Sequence, residues 1–108
     1  MSSAPAALIA QLRRFRRKVA GRYAIERLIL FGSQARGTAR RDGDVDLIVV
    51  SRRFRRKNPI DRAALLRLEW DLERPVDFLC YTPEEFEELS RRPSIVAVAL
   101  EEGILISG

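Results

Sequence analysis

The hydrophobic residues of the chain fall into short segments that alternate between helical and strand-like spacing. Near the N-terminus, helical spacing relates the hydrophobic residues Leu8, Leu12, Phe15 and Val19. Their three- and four-residue intervals predict an amphipathic helix over residues 4–19. Ser3 is placed to cap this helix, Pro5 suits its first turn, and Gly21 is expected to end it.

Three apolar runs have the length and composition of buried strands. They cover residues 24–31, 45–50 and 76–81, and the second is almost entirely β-branched residues and leucine. Runs this short are typical of strands that are covered on both faces. Residues 104–106 predict a further, short edge strand.

The segments between these runs carry helix signals. Residues 33–37 predict a short helical turn, and Asn58-Pro59 opens a helix that we expect to continue through Trp70 and to close at Arg74-Pro75. Thr82 and Glu85 have the spacing of a capping box. A last helix is predicted over residues 95–102, with Gly103 expected in the left-handed conformation that often ends helices.

This order of elements predicts the fold class. At 108 residues and 46% hydrophobic content, the chain can build one hydrophobic core but not two. Alternating strands and helices indicate an α/β (α+β) sandwich. We therefore predict a single domain over residues 1–108, with a small mixed sheet flanked by helices.

Composition narrows the classes of function. The chain has no histidine, which excludes histidine-based catalytic triads and histidine-ligated zinc, and its one cysteine, Cys80, is expected to be a buried, inert thiol. No apolar segment approaches the ~20 residues that a membrane span needs, so a cytoplasmic protein is expected. The net charge of +5 favours anionic partners.

The hexapeptide Arg-Arg-Phe-Arg-Arg-Lys occurs twice, at residues 13–18 and 52–57. The first copy lies on the predicted N-terminal helix, where Phe15 joins the apolar stripe, and the second lies in a predicted loop. Both copies are interpreted in the first place as solvated basic faces. A functional patch for nucleic acid, nucleotide phosphates or an acidic partner is the alternative, and nucleic-acid contact is not favoured.

Gly32 and Ser33 follow the first strand and precede a helical turn. A turn from strand to helix gathers unpaired backbone N–H groups that suit phosphate oxygens, and glycine lets a phosphate approach closely. Ser33 can cap the helix and donate its hydroxyl, and Arg36 lies one turn further on. Taken alone, this pattern is also that of an ordinary turn.

Three aspartates are candidates for binding metal ions. Asp44 and Asp46 stand two positions apart at the start of a strand, so their carboxylates project to the same side. Asp77 interrupts another apolar strand, where burial disfavours a carboxylate unless it has a partner. A shared cation would be such a partner, and an ion pair with Arg74 or Arg36 is the alternative.

Together these residues suit phosphoryl chemistry. Three carboxylates can bind two Mg²⁺ ions, one of which holds a triphosphate while the other activates an acceptor hydroxyl for attack on the α-phosphorus. In this hypothesis Asp44 and Asp46 bridge the metal ions. Asp77 lies nearest the acceptor and takes its proton.

The residues from Leu30 to Thr38, followed by Asp44-Val45-Asp46, resemble the signature of the minimal nucleotidyltransferases of the polymerase-beta-like superfamily. Their pattern is Gly-Ser, ten residues, then Asp-x-Asp, and the spacing here matches it. The similarity extends to the strand that carries Asp77 and to the helix start after Tyr81. One departure is Gly43, where serine is frequent in the family.

The resemblance implies transfer of a nucleoside monophosphate from a Mg²⁺-bound triphosphate, usually ATP. Many minimal members act as the antitoxin of a HEPN-family toxin, some by attaching AMP to a tyrosine of the toxin. By this resemblance Gly32 and Ser33 bind the triphosphate, and Asp44, Asp46 and Asp77 hold metal. The preferred base, the acceptor hydroxyl and the state of homo- or hetero-oligomerisation stay open.

Two other functions are alternatives to an enzyme that modifies a partner protein. A non-catalytic antitoxin would neutralise its partner by docking, although the intact Asp77 argues against this. A transferase acting on a small molecule is disfavoured, because such relatives carry a second domain that this chain lacks.

Overall fold

The computed structural model describes residues 4–38 and 43–107, so the predicted cap at Ser3 lies outside the described residues. The elements in chain order are α1 (Ala6–Ala20), β1 (Ile25–Phe31), α2 (Ser33–Arg36), β2 (Val45–Ser51), a 3₁₀ turn (Arg52–Phe54), α3 (Pro59–Arg67), β3 (Val76–Tyr81), α4 (Pro83–Ser90), α5 (Ile95–Glu102) and β4 (Ile104–Leu105). No helix within these described ranges is long and apolar enough to cross a membrane.

The strands form one mixed sheet in the order β3-β2-β1-β4. β1 is antiparallel to both β2 and β4, whereas β2 and β3 are parallel and are joined through α3. A parallel pair needs such a crossover, because the chain must return to the edge of the sheet where the first strand began. The predicted α/β fold with a small mixed sheet is confirmed.

The helices cover both faces of the sheet. One face packs against α1 and α3, and the other packs against α4 and α5. Alternate residues of β2 serve the two cores: Leu47 faces α1 and α3, whereas Ile48 faces α4 and α5. Since both sets are buried, β2 has the nearly continuous apolar sequence from which a buried strand was predicted.

An aromatic cluster fixes α1 on its face of the sheet. The ring of Phe15 lies 5.2 Å from Trp70 and 5.8 Å from Phe78, between ring centroids. Trp70 also donates its indole N–H to the carbonyl of Arg74 at 2.8 Å. The predicted apolar stripe of α1 is therefore its packing face, and Phe15 is buried as expected.

Several predicted helix ends are confirmed. Asn58 accepts the amide of Asp61 at 2.9 Å, and the capping box between Thr82 and Glu85 is complete. Gly21 ends α1. Each of these signals is local, since it depends on residues within one turn of the helix end.

Two predicted helix ends are wrong. The helix expected to include Trp70 ends at Arg67, because the amides of Glu69 and Trp70 turn back to carbonyls three residues earlier and the ring of Trp70 enters the aromatic cluster. Gly103 is extended, with φ −81°, and is not left-handed. It is required instead for close approach, since a Cβ there would lie 2.3 Å from the carbonyl oxygen of Ala99.

Arg62 is a buried cation that joins three parts of the fold. Its side chain is 7% exposed, and its guanidinium donates to the carbonyls of Lys57 and Cys80 at 2.8 and 3.0 Å. It also pairs with the Glu85 carboxylate at 2.6 Å. Burial would raise the pKa of Glu85, but hydrogen bonds from Arg62 and from the Thr82 amide outweigh it and lower that pKa.

We expect Arg62→Leu to lower the free energy of unfolding at pH 7 by about 2–3 kcal/mol. Breaking a fully buried ion pair costs ~3–5 kcal/mol, and the expected loss is smaller here because Glu85 is half exposed. The pKa of Glu85 in the folded protein is lowered from its ordinary value of 4.5. The stabilisation that the ionised Glu85 carboxylate contributes is therefore complete above pH 4.5, and it is lost as the pH falls through the lower pKa of the folded protein. Urea unfolding at pH 7 and at pH 3 measures both effects.

Arg91→Leu is the matched control, because Arg91 pairs with Glu87 on the surface, with side chains 71% and 67% exposed. It should cost below about 0.5 kcal/mol. Equal losses in the two variants at pH 7 would contradict a special role for the buried pair.

Candidate functional site

The parallel pairing of β2 with β3 places two of the predicted acidic residues side by side. In this register Asp46 lies opposite Asp77. Residues that are paired in register project to the same face, here the face covered by α4 and α5. Asp44 lies two positions before Asp46, just ahead of the strand, and is exposed. The structure therefore brings all three aspartates to one end of one face.

The turn at Gly32 approaches this group closely. Gly32 has φ +75°, and a Cβ added there would lie 2.5 Å from Oδ2 of Asp46. Only glycine meets both conditions, since other residues rarely adopt this φ and no side-chain atom fits against the carboxylate. The Gly-Ser turn and the Asp-x-Asp segment are thus parts of one site.

The backbone just before Asp44 is held by two side chains for which the sequence predicts no such role. Gln34, from α2, and Arg74, from the segment before β3, each donate to the carbonyl of Gly43 at 3.2 Å. Gln34 is only 3% exposed, which is unusual for an amide side chain. No sequence signal marks it, because a four-residue helix is too short to show a buried face by periodicity.

The residues predicted to bind phosphate lie at the start of α2 or on it. Ser33 is the first residue of this helix and not its cap: Gly32 holds the cap position, which has no side-chain hydrogen bond, so the predicted capping role is wrong. Arg36 is half exposed and forms an ion pair with Glu102 at 3.6 Å. Its charge also acts on Asp46.

The carboxylates repel one another. Burial raises the pKa of Asp46, the charges of Asp77 and Asp44 raise it further, and Arg36 acts in the opposite direction. The same three side chains that the sequence grouped are therefore electrostatically coupled in the fold. Such a shift identifies a cluster in which added positive charge is favourable.

Asp77 differs from its prediction in two respects. It lies on an edge strand and its side chain is 65% exposed, so burial does not require a partner for it. The arginine nearest its carboxylate is Arg67, at 4.0 Å, and neither Arg74 nor Arg36 pairs with it. At this distance and exposure the pair adds little stability.

Comparison with known proteins agrees with this geometry. The sequence profile of the nucleotidyltransferase domain matches residues 12–106, which is most of the chain and includes every residue of the site. The chain belongs to this nucleotidyltransferase family. No curated protein gives a significant match to the sequence.

A solved structure shows the same fold. It is that of a candidate nucleotidyltransferase from Sulfolobus solfataricus, with a TM-score of 0.64 and 19% sequence identity. The alignment covers 90% of this chain and 77% of the other. At this identity the likeness shows the fold alone.

The aspartates of this nucleotidyltransferase have the donor chemistry of a Mg²⁺ site. Carboxylate oxygens are the ligands that Mg²⁺ prefers. The pKa of Asp46 is raised by burial and also by the charges of Asp77 and Asp44, and a cation would relieve the repulsion between these carboxylates. Within residues 4–38 and 43–107, however, no three acidic or cysteine side chains are oriented so that they could hold one ion as they stand. The backbone groups the three aspartates, and the assignment of their side chains as metal ligands stays a prediction.

A groove of about 410 Å³ lies beside β3, between α3 and α4. None of the three aspartates is among the residues that line it. Cys80 and Tyr81 are among its residues. Burial raises the pKa of Cys80 to about 12, so its thiol is protonated and inert at neutral pH, as expected from the sequence. Cys80 therefore adds no nucleophile to the nucleotidyltransferase site.

We expect Gly32→Ala to displace Asp46, because the new methyl group would overlap Oδ2, and to strain the backbone at φ +75°. The variant should lose at least tenfold in Mg-ATP affinity by calorimetry and about 1–3 kcal/mol in free energy of unfolding. Gly21→Ala is the control, since nothing lies within 4 Å of its added Cβ. Unchanged Mg-ATP affinity in Gly32→Ala would contradict the proposed joint site.

Proposed function

We propose that this nucleotidyltransferase moves AMP from Mg²⁺-bound ATP to a hydroxyl of a HEPN-family toxin in the cytoplasm, and that it is the antitoxin of that toxin. In line with the family resemblance, the proposed acceptor is the hydroxyl of a tyrosine. The observation that carries the transferase part is the register that sets Asp46 beside Asp77, next to the Gly32 turn. The preference for ATP and the identity of the partner rest on the sequence resemblance alone.

In this proposal the chain's own residues bind and orient the reactants. The backbone N–H groups after Gly32 and the Ser33 hydroxyl donate to phosphate oxygens, and Arg36 exchanges Glu102 for the triphosphate. Bound Mg²⁺, held by Asp44, Asp46 and Asp77, would neutralise the phosphates and acidify the acceptor hydroxyl.

The transfer step is an in-line displacement. The acceptor oxygen forms a bond to the α-phosphorus while the bond from that phosphorus to the bridging oxygen breaks, and pyrophosphate leaves with the electron pair. Asp77 takes the proton of the acceptor hydroxyl. Its exposure at the edge of the sheet suits this role, because a hydroxyl on a separate protein must reach it.

A non-catalytic antitoxin that works by docking is the second candidate. Two observations favour it: in the described residues no three acidic side chains are poised around one ion, and Asp77 lies near Arg67. The exposed apolar residues Val98 and Leu105, on α5 and β4, would contribute to a docking surface.

Incubation of the protein with its HEPN-family partner, Mg²⁺ and ATP labelled at the α-phosphate separates the two candidates. We expect label on the partner, no label from ATP carrying the isotope at the γ-phosphate, and at least a hundredfold slower labelling with Asp44→Asn or Asp77→Asn. Asp71→Asn is the matched control, because Asp71 is exposed and its carboxylate pairs with Lys18 at 3.5 Å, away from the three aspartates of the site.

Labelling that survives in both site variants would contradict the assigned aspartates. A tight complex that gains no label, with toxin neutralisation unchanged by Asp44→Asn, would support the docking candidate instead.

A further inference from the structure

The second copy of the repeated hexapeptide, residues 52–57, forms a firmly anchored turn that we call the basic loop. Its central residue, Phe54, is fully buried in the core, and the Arg62 guanidinium lies 5.9 Å from the ring centroid. The same Arg62 donates to the carbonyl of Lys57. Ser51 accepts the amide of Arg53 and so fixes the start of the turn.

Four cations of the basic loop point to solvent without a counter-charge. Arg52, Arg53, Arg56 and Lys57 are exposed, and within the described part of the chain none of them forms an ion pair. Arg55 differs, since it pairs with Glu84 at 2.7 Å and ties the loop to α4. The four free cations therefore repel one another on a rigid support, which is unfavourable unless an anion is bound.

Arg56 adds backbone strain to this repulsion. Its φ is +65°, and it is the one residue other than glycine with positive φ in the described chain. Glycine would adopt this conformation without steric cost, whereas arginine loses ~1 kcal/mol or more. The side chain of Arg56 thus occupies a position where stability alone favours its removal.

The basic loop lies at the end of the sheet opposite the aspartates. β2 begins next to Asp44 and ends at Ser51, just before the loop, so its seven residues separate the two features by about 20 Å. α1, which carries the first copy of the hexapeptide, also ends on this side, since Ser51 donates to the carbonyl of Tyr23. A ligand on the loop is therefore distinct from the nucleotide.

We propose that the basic loop binds the phosphate backbone of a double-stranded nucleic acid. Arginine guanidinium groups form paired hydrogen bonds with phosphate oxygens, and three of the four free cations are arginines. Both hexapeptide phenylalanines are buried, so the loop offers no aromatic face on which unpaired bases could stack. This favours a duplex over a single strand.

An acidic protein surface fits the loop less well. Stable protein interfaces have apolar or aromatic anchors at their centre, and the loop exposes none. Ile60, at the start of α3, is 79% exposed but is a single side chain. The contact we infer is electrostatic and independent of base sequence.

Fluorescence anisotropy with a labelled 20-base-pair duplex, as RNA and as DNA, tests this inference over a series of salt concentrations. For the DNA duplex, log K should fall with log[salt] at a slope of about −3.6 if all four cations contact phosphates. Arg56→Gly should reduce the steepness of this slope by about 0.9, and its unfolding midpoint should equal or exceed that of the parent because the strain is removed.

Two control variants separate location from net charge. Arg56→Lys keeps the charge and should keep the slope. Arg92→Gln removes one charge outside the basic loop, from a side chain that lies 4.0 Å from Glu88, and should leave the slope unchanged. If only the RNA duplex or only the DNA duplex binds, the duplex that binds identifies which nucleic acid the basic loop recognises.

Polyglutamate of similar length is the competing anion. The proposal would be overturned in favour of an acidic protein partner if polyglutamate bound as tightly as the duplex and Arg56→Gly weakened both interactions equally. Absence of duplex binding at 50 mM salt, or an unchanged slope in Arg56→Gly, would overturn it as well. None of these outcomes bears on nucleotidyl transfer, because the site residues are unaltered.

Discussion

The parallel pairing of β2 with β3 is the interaction on which the rest of the site depends. A shift of one residue would turn the side chain of Asp77 away from the face that carries Asp46. The register is held because alternate residues of β2, such as Leu47 and Ile48, are buried in different cores. The apolar part of the strand therefore positions the carboxylates at its start.

This arrangement places like charges together at some cost. The pKa of Asp46 is raised by burial and by its acidic neighbours, so the folded chain without a cation carries electrostatic repulsion. Gly32 brings a backbone turn against the same carboxylate, and Gln34 and Arg74 hold the carbonyl that precedes Asp44. The Gly32 turn and the acidic residues therefore share one corner of the sheet, and carboxylates with perturbed pKa values are common at functional sites.

The sequence predicted the strands and most helix starts because their signals are local. β3 was predicted at its observed bounds, and the capping box at Thr82 needs only four residues. The three aspartates were grouped by the hypothesis of a shared cation, and the resemblance to a known family supported this grouping, since periodicity contains no long-range pairing. The end of α3 was missed because the contacts of Trp70 with α1 and β3 override its helical spacing.

Contacts between distant segments explain the remaining differences. The role of Gly103 depends on the carbonyl of Ala99 and on β1, and the neighbour of Asp77 depends on where α3 ends. Likewise, the two hexapeptides are identical in sequence but lie on a helix and on a turn. In both, the phenylalanine is buried, and only the surroundings of the arginines decide which charges are paired.

The central claim is that the three aspartates hold divalent cations beside the Gly32 turn. A crystal structure with Mn²⁺ and a non-hydrolysable ATP analogue, measured for anomalous scattering, tests it most directly. The account predicts anomalous peaks at about 2.0–2.2 Å from oxygens of Asp44, Asp46 and Asp77, with the triphosphate against Gly32 and Ser33. Peaks that involve none of these carboxylates, or a triphosphate bound elsewhere on the protein, would contradict it.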